Sequence, residues 1–390
     1  MRIKKWTSSV WILPLAVFML AANPTLLYSA PAPGNSFVQH NLVSDIPGLA
    51  AATDPNLVNP WGVSFSPTGS PFWVSDNGAG LATLYNGFGV KQGLVVNIPP
   101  ANGGMPPSAP TGQVFVGNIP AFGGNLFVFA TENGTISSWK GSNGTNAVLQ
   151  FDNSASGAVY KGLAVASNGS GTFLYATNFR AGTIDVLNSS FNKVGLPGSF
   201  TDPGIPAGYA PFNIESVGGR LYVTYALQDA AKHDDVSGPG HGFLDVFDTN
   251  GNFIQRLVSQ GSLNSPWGMA WAPAGFGKFG GDLLVGNFGD GTVNVFNPTT
   301  GTWLAQLDDS NGNPIVNQGL WDITFGNGGK GGFTNTLYFT AGIPGPNGNV
   351  EDNGLFGSVS SVPEPGTLTL LGSGFVSLLG FGLRRGKRTS

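Results

Sequence analysis

The run His233-Asp234-Asp235 contains groups that could exchange protons with a substrate, because His233 or one of the two carboxylates could serve as a general base. The run lies in LQDAAKHDDVSGPGHG, residues 227–242, here called the insert. A hairpin connection needs roughly two to five residues, whereas the insert is about 16 residues long. Closing a long loop costs little free energy, so an ordinary solvated loop is the alternative to a functional one.

Short turns rich in aspartate, asparagine and glycine recur along the chain, for example SDNGAG at residues 75–80 and GNFGDGT at residues 286–292. Their oxygens suit calcium, which takes about six to eight oxygen ligands in irregular geometry, better than zinc. Calcium is therefore the one candidate cofactor. The candidate ligand residues are Asp76, Asn77, Glu132, Asn178, Asp229, Asn287 and Asp290. The alternative is structural, because tight hairpins favour these residue types in any protein.

Several kinds of catalytic chemistry find no support in the sequence. The chain contains no cysteine, which excludes disulfides, thiol catalysis and cysteine-ligated metals. His233 and His241 are eight residues apart and no HExxH pair occurs, so we expect no catalytic zinc. No GxSxG elbow and no phosphate-binding GxxxxGK(S/T) loop is present. An enzyme whose groups come from scattered loops stays open.

Internal repeats indicate the architecture that must position these residues. NPWGVSFSPTGSPFWVSDNGAGLATLYNG, from residue 59, aligns with SPWGMAWAPAGFGKFGGDLLVGNFGDGTVNVFNPTTG, from residue 265. Units of about 50 residues begin near residues 59, 113, 160, 211, 265 and 319. Each reads as three or four short strands with apolar alternation. Six such units predict an all-β fold, a six-bladed β-propeller over residues 36–361, with a seven-bladed ring as the alternative.

The N-terminal strand is predicted to close the ring. FVQHNLVSD, from residue 37, resembles FIQRLVSQ, from residue 253, which is the fourth strand of the fourth unit. The sixth unit supplies only three strands, so the N-terminal strand would complete it and remove an exposed edge. In such a ring, the turn between the second and third strands shares a face with the start of the first strand. The candidate residues are therefore expected to crowd one face.

Three tryptophans, Trp61, Trp267 and Trp321, stand at the start of the innermost strands. They could line a carbohydrate-binding channel by stacking against sugar rings. The alternative is that they pack between blades, as large aromatic residues at repeated positions commonly do.

Both terminal segments are typical of an exported protein. Residues 1–30 combine a basic start, an apolar stretch and small residues, which predicts a secretory signal peptide; a retained anchor is the alternative. Residues 362–390 contain VPEP, then an uncharged stretch at 367–383 that as a helix spans about 25 Å, then RRGKR. The predicted sorting residues are Val362, Pro363, Glu364, Pro365, Arg384, Arg385, Lys387 and Arg388.

The order of these three parts resembles the PEP-CTERM sorting signal of Gram-negative bacteria. The resemblance implies an exosortase, a membrane protease that acts near VPEP, as a partner. It also implies a membrane-spanning segment at residues 367–383 before processing. The expected destination is the cell surface, outer membrane or extracellular matrix. An ordinary C-terminal anchor helix is the alternative, since a basic cluster after an apolar stretch stays in the cytoplasm.

The charge of the part between leader and tail argues against nucleic acid as a partner. Ten of the 17 basic residues and 20 of the 21 acidic residues lie within residues 31–361, so the net charge there is ten minus 20, or −10. An acidic surface repels phosphate backbones. We therefore expect no binding to DNA or RNA.

The segment YALQDAAKHDDVSGPGHGFLDVFDTNG, residues 225–251, and the repeated Pro-Trp-Gly motifs carry a further resemblance. The chain is similar to exported bacterial NHL-like propellers of unassigned activity. That resemblance implies the fold and the destination, and it supplies no catalytic residues. Two functions follow as hypotheses. The first is a surface or matrix module that binds a partner such as surface polysaccharide, and the second is a calcium-dependent hydrolase of lactones or esters.

Overall fold

Residues 36–362 are described by the computed structural model, and their strands form six β-sheets. Two strands come first, β1 (Phe37–Ser44) and β2 (Ala52–Thr53). The first blade contains β3 (Pro60–Ser64), β4 (Phe72–Asp76), β5 (Leu81–Tyr85) and β6 (Lys91–Asn97). The second contains β7 (Pro110–Phe115), β8 (Phe127–Thr131), β9 (Thr135–Trp139) and β10 (Val148–Asp152). The third contains β11 (Tyr160–Asn168), β12 (Gly171–Asn178), β13 (Thr183–Asn188) and β14 (Lys193–Val194).

The remaining three blades follow in chain order. The fourth contains β15 (Tyr209–Val217), β16 (Arg220–Leu227), β17 (Phe243–Asp248) and β18 (Phe253–Ser259). The fifth contains β19 (Pro266–Trp271), β20 (Leu283–Asn287), β21 (Val293–Phe296) and β22 (Trp303–Gln306). The sixth contains β23 (Leu320–Phe325), β24 (Leu337–Ala341) and β25 (Leu355–Ser361). Short 3-10 helices lie at Asn77–Ala79, Pro120–Phe122, Gly141–Asn143, Ser154–Ser156 and Gly277–Phe279.

The predicted six-bladed propeller and its closure by the N-terminal strand are confirmed. Strand β1 pairs antiparallel with β25, in a register that runs from Phe37 opposite Ser361 to Ser44 opposite Leu355. The sixth blade is thereby completed by the first strand of the chain. Because β25 gains a hydrogen-bonded neighbour, the last blade has no bare edge at this position.

The innermost strands meet around the axis of the ring, and each contains an irregularity at the same place. Neighbouring inner strands contact one another in the order β3, β7, β11, β15, β19, β23 and back to β3. In all six blades the register with the second strand shifts near the start of the innermost strand, as between Pro60 and Val63. Such shifts re-aim side chains. The residues at the shift are Trp61, Thr111, Lys161, Phe212, Trp267 and Trp321.

The glycines that follow the shift allow the inner strands to approach closely. A Cβ atom at Gly62 would lie 2.7 Å from the carbonyl oxygen of Thr111, and one at Gly268 would lie 2.6 Å from that of Trp321. Such contacts are shorter than packed atoms tolerate. The Pro-Trp-Gly motif therefore combines a side chain that faces the channel with a backbone that fits against the next blade.

The tryptophans pack against one another in the channel, which agrees with the packing alternative and not with an open channel lined for sugar stacking. Trp61, Trp267 and Trp321 are 1–2% exposed and form one cluster with Phe179 and Phe212. The rings of Trp61 and Trp267, from the first and fifth blades, lie 6.0 Å apart edge to face, and those of Trp61 and Trp321 stack at 3.4 Å. They pack against one another both between adjacent blades and, for Trp61 and Trp267, across the axis. The channel is closed at this level.

Within residues 36–362, no helix is long and apolar enough to cross a membrane. The leader predicted at residues 1–30 and the segment predicted at residues 367–383 lie outside the described residues.

Candidate functional site

Lys161 occupies, in the third blade, the position that tryptophan occupies in three other blades. Its side chain is 2% exposed, and its Nζ atom lies 4.9 Å from the centre of the Trp61 ring and 5.9 Å from that of Phe179. A cation over an aromatic face is attracted by the ring quadrupole. Aromatic rings alone do not repay the loss of hydration of an ammonium group, so carboxylates are required nearby.

Two carboxylates from other blades meet this ammonium. Lys161 forms an ion pair with Glu132, from the turn after β8, and its Nζ lies 3.3 Å from Oδ1 of Asp234 in the insert. Burial by itself would lower the pKa of Lys161, but the charges of Glu132 and Asp234 outweigh it and raise the pKa above its usual value. The lysine is therefore charged when folded, and it links three blades at the end of the channel.

An amide network extends the cluster to the first and sixth blades. Asn77 Nδ2 donates to Glu132 Oε2 at 2.9 Å, and Asn59 Nδ2 donates to Glu351 Oε1 at 3.0 Å. The indole N–H of Trp321 donates to Asn59 Oδ1 at 3.0 Å, which ties the network to the tryptophan layer. Burial, followed by the charge of Glu132, raises the pKa of Glu351 to about 7. Glu351 can therefore gain or lose a proton near neutrality.

Hydrogen bonds within the insert and from the insert to Asn264 hold it at the mouth of the channel. Asp229 Oδ1 accepts the backbone N–H of His233 at 2.8 Å, and the N–H of Gly238 donates to Asn264 Oδ1 at 2.7 Å. His233 Nδ1 lies 2.9 Å from Asp234 Oδ1, and the His233 side chain is 42% exposed. The contact with Asp234 raises the pKa of His233, and the same bond lowers the pKa of Asp234 to about 2.

Strand alternation decides which of the sequence candidates reach the cluster. Asp76, Asn178 and Asn287 pair with Pro60, Tyr160 and Pro266, the residues before the shift. Their side chains point away from the axis. The residues that follow these three strand ends are Asn77, Phe179 and Phe288, which contact the mouth cluster or the tryptophan layer. Glu132 stands at the equivalent place in the second blade, after Thr131, which pairs with Pro110. Phe288 is half-buried, and its ring stacks 4.1 Å from that of Trp321, so it covers the tryptophan layer from the mouth.

The other candidates lie outside the mouth cluster. Asp76 is fully buried, and burial raises the pKa of its carboxyl well above the usual value. Asn178 Nδ2 donates to Asp185 at 3.2 Å, and Asn287 Nδ2 donates to the carbonyl of Ser262 at 2.8 Å. Asp290 accepts the hydroxyl of Thr292 at 2.7 Å, and Asp235 accepts that of Ser237 at 3.1 Å. Of the predicted set, Asn77, Glu132, His233 and Asp234 meet at the mouth, with Asp229 bracing the insert.

The cluster does not fit a resident calcium ion. One donor atom from each of Glu132, His233 and Asp234 lies within 4.8 Å of the others, which is close enough for a shared metal. However, the ammonium of Lys161 already engages Glu132 and Asp234, and His233 offers nitrogen where calcium prefers oxygen. A divalent cation would have to displace a buried positive charge. Lys161 is the cation that this site contains.

Sequence reasoning missed Lys161, Asn59 and Phe288, and it placed Glu351 on this face without making it a ligand candidate. A signal for Lys161 was present, because YKG at residues 160–162 aligns with the repeated PWG and places a charge where the repeat has an apolar ring. Asn59 and Glu351 adopt positive φ angles of 47° and 76°, which few non-glycine residues do. Ser265, which precedes the other Pro-Trp-Gly motif, has the same φ of 47°, so the repeat marks the conformation of Asn59.

The fold and the C-terminal motif define the class: a six-bladed β-propeller with a sorting signal. A profile of the PEP-CTERM protein-sorting motif matches residues 361–388, which contain all the predicted sorting residues. The motif indicates export and processing by an exosortase. A Bacteroides thetaiotaomicron structural genomics protein of unknown function aligns with a TM-score of 0.50 at 10% identity, over 83% of this chain and 76% of that one, a likeness of fold alone.

Two viral proteins are related to the chain in sequence. It is 33% identical to uncharacterized protein R648 of Acanthamoeba polyphaga mimivirus, over 82% of this chain and 78% of the relative. It is 35% identical to uncharacterized protein L690 of the same virus, over 72% of this chain and 76% of the relative. The chain belongs to the family of these proteins.

Proposed function

We propose that this protein is an exported NHL-like propeller that acts as a binding module of the bacterial cell surface or matrix. It takes a polyhydroxylated ligand, such as a sugar unit of a surface polysaccharide, at the mouth of its channel. One observation carries the proposal: all six blades supply a side chain to this mouth. In blade order they are Asn77, Glu132, Lys161, Asp234, Phe288 and Glu351.

The tryptophan layer supports a site that is shallow and open to solvent. Trp61, Trp267 and Trp321 close the channel beneath the polar cluster, so a ligand would rest on the mouth instead of passing through the ring. A ligand that rests on a rigid floor loses little binding energy to reorganisation of the protein. The insert on one side and the turn after β24 on the other limit the space above the floor.

The chemistry of the mouth matches a carbohydrate. Sugar hydroxyls both donate and accept, so they can bond to carboxylates such as Asp234, whose side chain is 61% exposed, and to the imidazole of His233. The apolar face of a sugar ring can pack on Phe288, which is half-buried over Trp321. A ligand rich in phosphate or sulfate fits less well, because carboxylates outnumber the single lysine.

The test is a glycan array with the purified protein, followed by titration of any sugar that binds. Asp234→Asn and Phe288→Ala are each expected to weaken binding at least tenfold. Asp234→Asn should unfold at the same temperature as the parent, whereas Phe288→Ala should unfold at a lower one, because it loses its stacking on Trp321, and its binding is therefore measured well below that temperature. The matched control is Asp309→Asn, a partly exposed aspartate whose bonds stay within its own turn. Equal binding by all three variants, or no binding to any glycan, would contradict the proposal.

A second candidate function is hydrolysis of lactones or esters, and the His233–Asp234 contact favours it. The carboxylate fixes the ring through Nδ1, so Nε2 can take a proton from water that attacks a carbonyl carbon. The test is turnover of a panel of lactones and aryl esters, with EDTA and then calcium added. Loss of turnover in both His233→Asn and Asp234→Asn, with no effect of EDTA, would support this candidate. Absence of turnover would exclude it.

A further inference from the structure

The end of the channel opposite the mouth contains a cavity, here called the lower cavity, which lies on the other side of the tryptophan layer. The inner strands run away from the mouth, so residues two to four places beyond the tryptophan position lie at this end. One residue per blade stands at the same level here: Ser64, Val114, Ala164, Glu215, Ala270 and Thr324. Five of the six side chains are small or short, and the sixth is a glutamate. Three of the six, Glu215, Ala270 and Thr324, line a cavity of about 270 Å³ between the fourth, fifth and sixth blades.

Two carboxylates face this cavity, and no basic side chain neutralises them. Asp322 is 5% exposed and accepts backbone N–H groups from Val63 at 2.7 Å and from Ile323 at 2.8 Å. Glu215 is partly buried in the cavity wall. Among the ion pairs of residues 36–362, no lysine, arginine or histidine pairs with either residue.

Burial raises the pKa of both groups, and for Glu215 the charge of Asp322 adds to it. Burial, followed by the charge of Asp322, raises the pKa of Glu215 to about 8, and burial raises the pKa of Asp322 to about 7. A carboxylate in an enclosed space without a partner is costly, and a positive charge placed beside it removes that cost. The cavity is therefore favourable for a cation that fits inside it.

The walls indicate which kind of cation fits. Trp271, Met269 and Phe325 line the cavity with aromatic and apolar surface. Such surface attracts an ammonium group and its alkyl substituents. Calcium takes about six to eight oxygen ligands, and two carboxylates, one of which already accepts two backbone N–H groups, supply too few. An organic ammonium group needs only one close carboxylate and a matching apolar wall.

We propose that this lower cavity is a binding site for a small protonated amine, with Glu215 as its counter-ion and Trp271 as its apolar contact. Asp322 contributes negative potential from the end of the cavity nearest the tryptophan layer. The site is separate from the channel mouth, because the tryptophan layer lies between them and the two ends share no hydrogen-bonded residue among those described above. A ligand bound at one end therefore leaves the other end free.

The test is titration of the full-length protein with protonated n-butylamine at mildly alkaline pH, with binding measured by calorimetry or ligand-observed NMR. We expect a Kd of about 1 mM or tighter, and binding at least tenfold weaker for n-butanol, which has the same chain without the charge. Glu215→Gln keeps the shape of the side chain and is expected to reduce affinity for the amine at least tenfold. The control is Asp309→Asn, a carboxylate whose bonds stay within its own turn, which is expected to leave that affinity unchanged.

A second variant keeps the proposal open to refutation if Glu215→Gln folds poorly. Thr324→Leu adds bulk to the cavity wall and leaves both carboxylates in place, and it is expected to block the amine by exclusion. Equal affinity for butylamine and butanol, retained affinity in both Glu215→Gln and Thr324→Leu, or no binding of the amine to the parent protein would each overturn the proposal.

Discussion

Replacing Lys161 by methionine tests whether the buried ammonium organises the channel mouth. Methionine keeps an unbranched apolar side chain of similar length, so packing against Trp61 and Phe179 is largely retained. The charge is lost, and Glu132, whose side chain is 13% exposed, keeps only the amide of Asn77 as a partner. The variant therefore isolates the electrostatic contribution of the lysine.

The expected cost follows from the burial of each partner. Removing one member of a buried ion pair destabilises a protein by about 3–5 kcal/mol, because it leaves an uncompensated charge. The contact with Asp234 adds little, since that carboxylate is 61% exposed and screened by solvent. We expect Lys161→Met to lower the free energy of unfolding by about 3 kcal/mol. For a domain of roughly 330 residues, that lowers Tm by about 4 °C.

The assay is urea unfolding of the parent, of Lys161→Met, of Glu132→Gln and of the double variant. If the cost comes from the stranded charge, neutralising Glu132 in the Lys161→Met background should restore about 2 kcal/mol. The two changes must then couple strongly in the double-mutant cycle. A Lys161→Met variant within about 0.5 kcal/mol of the parent would refute the reasoning, because it would mean that Glu132 is solvated without the lysine.

Three further outcomes are expected from single changes. In urea unfolding, Gly62→Ala should lower the free energy of unfolding by about 2 kcal/mol or more, because its Cβ would meet the backbone of the next blade. The control Gly93→Ala has open space around the added Cβ and should change stability little. Asp234→Asn should lower the pKa of His233 toward its usual value in an NMR titration, since the contact with Asp234 is the main cause that raises it. The pKa of Glu351 is raised from 4.5 to about 7 in the folded protein. Its contribution to stability is therefore full below about pH 4.5 and is lost as the pH rises through 7. Glu351→Gln should reduce the fall in unfolding free energy between pH 5 and 8 by about 2 kcal/mol. A variant with the same slope as the parent would assign that fall to other groups.

The six blades and the closure of the ring could be predicted because each has a local signature in the sequence. The repeated Pro-Trp-Gly motif marks the inner strand, and the likeness between the strands at Phe37 and Phe253 marks the one that closes the ring. Both signatures depend on neighbours in the chain or on repetition. The packing of tryptophans across the axis is a contact between the first and fifth blades, and no local pattern reports it.

The site could be predicted only in part, for a reason that lies in side-chain length and direction. Asn178 and Glu132 come from equivalent turns, yet they differ in position by one residue, and a strand reverses the side-chain direction at each step. Asparagine also bonds readily to nearby groups, as Asn178 does with Asp185, whereas the longer side chain of Glu132 reaches the third blade. Residue type marked both as candidates, and only the register separates them.

The tryptophan layer makes a last prediction about the two ends of the channel. Glu132 at the mouth and Glu215 in the lower cavity share no bonded partner among the described residues, and rigid aromatic rings lie between them. Changes at independent sites add to within about 0.5 kcal/mol. The unfolding free energy of the double variant Glu132→Gln, Glu215→Gln should therefore equal the value that the two single variants predict. A coupling above about 1 kcal/mol would mean that the layer transmits charge or strain, and the two ends would then have to be treated as one site.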